Sequence, residues 1–138
     1  MKESIIMKNY TPFILFLFFA TFTQLYTANI PVNFSKEQIS ASLERYQFPP
    51  LKGDCIDGLA TARTMENFIQ QFSEARDAYV NQEIEDRLNL GLSNTNKAGL
   101  TRSLEIKQYK VCAELLKTTN PAKARIYGRM ATDMQTEW

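Results

Sequence analysis

Cys55 and Cys112 are the only two cysteines in a chain of 138 residues that contains no histidine. A thiol can serve as a nucleophile, a metal ligand or half of a disulfide, and the first two roles need help. A reactive thiolate is usually made by a neighbouring imidazole or other cation, and a closed zinc site takes four Cys or His ligands. Without histidine, the Ser-His-Asp and Cys-His arrangements and the H-E-x-x-H zinc helix are all excluded. The sequence predicts no metal and points to pairing of Cys55 with Cys112. Such a bridge is worth roughly 4 kcal/mol through the loop that it closes. A covalent dimer through the same cysteines is the rival, and the intrachain bridge in a monomer is preferred.

Other chemistry is sparse. The glycines form neither G-x-G-x-x-G nor a phosphate-cradling loop, so no nucleotide cofactor is implied. Asp54-x-x-Asp57-Gly58 lacks the carboxylate series and the closing glutamate of a calcium loop. In "NQEIEDR", Glu83 lies one helical turn from Asp86 and from Arg87. A carboxylate pair of that kind serves glycoside hydrolysis, but a solvated helix face with local ion pairs explains it better, because no aromatic platform adjoins it. The sequence therefore predicts a protein that is not an enzyme. Asn33-Phe34-Ser35 is a triplet that can accept an N-linked glycan at Asn33.

The oxidising environment a disulfide needs is suggested by the start of the chain. Lys2 and Lys8 precede an apolar run from Phe13 to Phe22, and smaller, more polar residues lead to Ala28. That is the layout of a secretory signal peptide, and the run is about half the length a spanning helix needs. Residues 1–28 are read as the leader, with cleavage after Ala28 and Met7 as an alternative start. Residues 29–138 are read as one secreted domain with no stable membrane insertion once the leader is gone. The formal net charge is +1, and removal of Lys2, Lys8 and Glu3 leaves a neutral chain. With 44% hydrophobic and 22% charged residues it has the composition of a globular domain rather than a disordered one.

The elements that must position these groups read as helices. Ser35 and Gln38 form a capping box, with Phe34 and Ile39 as a hydrophobic staple across it. That first helix must end before Pro49 and Pro50. A long second helix is expected from a cap at Asp54 to about Asn89. The stripe Met65, Phe68, Phe72, Ala75 and Tyr79 repeats along it in steps of three and four. A glycine- and asparagine-rich loop follows, then a helix from about Thr101 to Lys117. Asn120 caps a last helix with Pro121 at its first position, and Tyr127, Ala131, Met134 and Trp138 form its stripe. The fold class is all-α: a small bundle of four or five helices with one disulfide. The bridge sets a condition on the long helix. If it ran straight and turned back near Asn94, Cys55 would lie roughly 30 Å from the level of Cys112, far beyond disulfide reach. A break near Gln71–Ser73, or earlier at Gly58, is therefore expected.

Charge is uneven along the chain. Residues 54–89 are rich in carboxylates and residues 101–130 in lysine and arginine. With no dense basic cluster and a neutral total, mutual cancellation inside the fold is preferred to a basic face, and no nucleic-acid partner is predicted. Met65, Phe68, Phe72 and Tyr79 are read as core first, and as the lining of an apolar-ligand cavity second. The function expected is that of a secreted, non-enzymatic helical binding protein acting on an extracellular protein. The alternative is an extracellular carrier of a small, lipid-like apolar ligand in the bundle core.

Overall fold

A computed structural model describes residues 30–93 and 95–137. The leader expected over residues 1–28, its expected cleavage point, the alternative start at Met7, Asn94, near which the chain is expected to turn back, and the terminal Trp138 lie outside the described residues. Within them the chain forms five helices: α1 (Lys36–Arg45), α2 (Gly53–Thr61), α3 (Met65–Asn89), α4 (Lys97–Leu116) and α5 (Pro121–Thr136). Helix α4 is the hub. It packs on α1, on α3 and, most extensively, on α5, while α2 packs on α1 and α3.

The helix starts follow from side-chain caps that satisfy first-turn N–H groups. At α1 the capping box is formed: Gln38 N donates to Ser35 Oγ at 3.1 Å, and Ser35 N donates to Gln38 Oε1 at 2.9 Å. Phe34 and Ile39 are both buried beneath it. At α5 the Asn120 side chain accepts from Lys123 N at 3.2 Å, with Pro121 at the first helical position. Asn96 does the same for α4 by accepting from Gly99 N, so that helix begins at Lys97, four residues before the expected start.

The expected long helix is two helices. The break lies at Ala62–Thr64, not at Gln71–Ser73 or Gly58. Thr64 adopts extended backbone and caps α3 by accepting from Asn67 N at 3.2 Å. The segment before α1 fixes the break: Val32 N donates to Arg63 O and Met65 N donates to Ile30 O, at 2.9 and 2.8 Å. The Arg63 carbonyl and the Met65 N–H, which a continuous helix would pair internally, are thus paired across the molecule instead. Asp54 does not cap α2; Lys52 holds the cap position, and the Asp54 carboxylate accepts from the next residue, Cys55 N.

A single core joins all five helices. Its centre is a run of phenylalanines in edge-to-face contact. Phe34 meets Phe68 with ring centroids 5.2 Å apart, Phe68 meets Phe72 at 5.9 Å, and Phe72 meets Phe48 at 5.1 Å. Edge-on packing places the positive ring edge against the negative face, which favours it over flat stacking.

The expected Cys55–Cys112 disulfide is corrected by this arrangement. Both cysteines are free and far apart. Helix α3 runs unbroken from Met65 to Asn89, so α4 returns alongside α3 rather than to the start of α2. Cys55 sits half-buried in the first turn of α2, and Cys112 is buried on α4 between core residues Val111 and Leu116.

Candidate functional site

Of the residues singled out from the sequence, Met65, Phe68 and Phe72 are buried in the common core, and Tyr79 is half-buried at its edge. The structure therefore brings these four together along one face of α3. Asn33 is exposed, between the buried Val32 and Phe34, as extended backbone with alternating sides requires. Glu83 and Asp86 are engaged within their own helix. Arg87 Nε donates to Glu83 at 3.3 Å, and Gln82 Nε2 donates to Asp86 at 2.9 Å. Cys112 is held neutral, because burial pushes its thiol from 9.0 up to about 12.

Two surface features were not foreseen. The first is the corner between α3 and α4. Leu88, Leu90 and Leu92 are 57%, 79% and 51% exposed. Single exposed leucines are ordinary, but three within five residues form an apolar tip. The tip has a defined shape. Gly91, at φ +81°, lets Gly91 N donate to Leu88 O and Leu92 N donate to Arg87 O, which is a Schellman ending of α3. The Arg87 guanidinium also donates to Thr95 O at 3.1 Å across the loop. The stretch "RLNLGL" carries the signal for this, since a glycine follows the last turn and leucines alternate on both sides of it. Its composition alone had marked it only as a loop.

The second feature is a groove of about 530 Å³ where α1 ends, α4 ends and α5 begins. Arg45, Lys117 and Arg125 stand around it, with Glu114 as its carboxylate. Glu114 is already occupied: Ser42 Oγ donates to it at 2.7 Å, and Arg45 pairs with it. No spacing within one helix reveals this site, because its cations come from three elements.

Charge pairing between α3 and α4 also differs from simple cancellation of an acidic helix by a basic one. The pairing uses the minority charges: Arg76 of α3 donates to Gln108 at 2.8 Å and lies 3.8 Å from Glu105 of α4. Gln108 is buried, and its amide donates to Ser73 Oγ at 3.0 Å, which completes a polar link inside the helix interface. The lysine and arginine surplus of α4 and α5 is left for the surface and for other partners. Lys107 donates to Gln47 O, and Lys123 lies over the Tyr127 ring.

Compared with known proteins, the chain matches no family model, no curated protein and no solved structure.

Proposed function

We propose that this is a secreted, non-enzymatic helical binding protein that engages an extracellular protein through the corner between α3 and α4. The observation that carries this reading is the exposed triad Leu88, Leu90 and Leu92 on a turn fixed by hydrogen bonds. Exposed apolar side chains on a hydrogen-bonded turn favour a protein partner, because the backbone that carries them has little conformational entropy left to lose when they are covered. Secretion is supported by the charged, apolar and small-residue zones of residues 1–28. Carriage of an apolar ligand in the core draws less support, since the phenylalanines that would line such a cavity pack edge-on against one another.

The test is made in the medium of the source cells. N-terminal sequencing is expected to place the start of the protein near Asn29. A photo-crosslinker installed at Ser93 is expected to give a discrete protein adduct, and a Leu88→Ser/Leu90→Ser variant to lose it without a shift in unfolding midpoint. An adduct that survives the double substitution overturns the corner as the interface. A lipid-like molecule retained in native mass spectrometry would instead favour the carrier.

A further inference from the structure

We propose that the groove between α1, α4 and α5 is a binding site for a small organic anion, with Lys117 and Arg125 holding its oxyanion and the groove floor taking its apolar body. The helical spacing builds both parts. At the end of α4, Ala113 and the C-cap residue Lys117, still in helical backbone, are four residues apart and so share a face; on α5, Pro121 and Arg125 do the same with Ala124 beside them. The last residues of α1, Arg45 and Tyr46, close the third side. Small side chains on the two facing helices leave the space, and Tyr46 supplies a half-buried aromatic wall.

The charges then select the ligand. Glu114 is engaged by Ser42 and Arg45, so it does not neutralise the other two cations. Neither Lys117 nor Arg125 has an ion-pair partner among the described residues, and both are exposed. A phosphate or sulfate ester entering the groove would receive charge-assisted hydrogen bonds from both. The floor adds a second requirement. Pro121, Ala113 and Ala124 offer carbon surface that a bare inorganic ion cannot use, whereas an aryl or alkyl group covers it. A volume of about 530 Å³ suits a molecule of that size. The site is separate from the leucine corner: the two lie at opposite ends of α4, roughly 30 Å apart at 1.5 Å per residue.

Phenyl phosphate is the probe, titrated calorimetrically into the protein purified from its own source. Binding is expected, and Lys117→Glu and Arg125→Glu are each expected to weaken it by about tenfold or more. Both positions are exposed, so the variants should keep the wild-type unfolding midpoint, and Lys52→Glu, on a different surface, should leave binding unchanged. Inorganic phosphate and phenol are expected to bind at least several-fold more weakly than the ester that joins them. A phosphotyrosine peptide assigns the source. Tighter binding than phenyl phosphate identifies a modified protein side chain as the natural ligand, and weaker binding identifies a free small molecule; either supports the same site. No binding of phenyl phosphate, equal binding by both charge-reversal variants, or inorganic phosphate binding as tightly as the ester overturns the proposal.

Discussion

Cys112 faces the core from α4, where desolvation pushes its thiol up to about 12, while Cys55 lies half-buried in the first turn of α2. Nucleophilic reactivity follows the thiolate, and a rise from 9.0 to about 12 leaves roughly a thousandfold less of it at neutral pH. Access acts in the same direction. Alkylation of native protein, followed by intact-mass measurement, is therefore expected to add one label, at Cys55. The second label should appear only after denaturation. Two thiols that both resist alkylation in denaturant until a reductant is added would restore the bridge that the sequence suggested. That suggestion rested on elimination: no histidine, no other cysteine, one oxidising compartment. Elimination names the partners available to a thiol but contains nothing about distance, and the distance is set by where α3 begins and ends.

Helix ends carry much of the local order, and two of them use one device with different residues. Helix α3 stops at Gly91, in the left-handed region at φ +81°. Helix α1 stops at Gln47, at φ +56°, with Gln47 N donating to Glu44 O and Phe48 N donating to Leu43 O. The two hydrogen bonds match those at Gly91, so both are Schellman endings. In α1 the turn drops Phe48 into the core against Phe72. A Cβ in this region costs about 1 kcal/mol. Gly91→Ala should therefore destabilise by about 1 kcal/mol, and Gln47→Gly should stabilise by up to about 1 kcal/mol, read from urea midpoints. Equal signs for the two would mean that one ending is not left-handed. Legibility at this scale tracked locality. Ser35 with Gln38, and Asn120 with Pro121, are caps written within four residues, and both are readable from the sequence. The break at Ala62–Thr64 was not legible, because Val32 and Ile30 hold it from more than thirty residues away. Thr64, directly before the stripe that starts at Met65, is its one local sign.

At the scale of the whole molecule, the sequence marks which face of each helix is apolar but not which helix that face meets. Met65, Phe68 and Phe72 could be assigned to a core, yet the contacts of Phe68 with Phe34 and of Phe72 with Phe48 depend on chain reversals outside α3. The groove beside Lys117 was illegible for the same reason, since three helices contribute to it. The packing of α5 on α4 has a consequence in alkali. Tyr109 and Tyr127 stack across that interface with ring centroids 6.1 Å apart. Burial pushes the Tyr127 hydroxyl from 10.0 up to about 12 and also raises that of Tyr109. Cys112, buried on α4, is raised in the same direction. The unfolded chain releases the Cys112 and Tyr127 protons near pH 9 to 10, whereas the folded chain keeps those two until about pH 12, and the Tyr109 proton is also held to higher pH than in the unfolded chain. Over that window the unfolded state binds fewer protons, so stability falls as pH rises; the fall sets in above about pH 8, where the unfolded Cys112 thiol begins to ionise, and below that these groups contribute almost no slope. Urea midpoints at half-unit steps from pH 8 to 11 are expected to hold near pH 8 and then decline. Tyr127→Phe keeps the ring and its packing but removes the ionising group. Its decline should be shallower than that of the wild type, while its midpoint at pH 8 stays close. Parallel curves for the two proteins would show that the Tyr127 hydroxyl is solvated, and that α5 does not cover α4 as described.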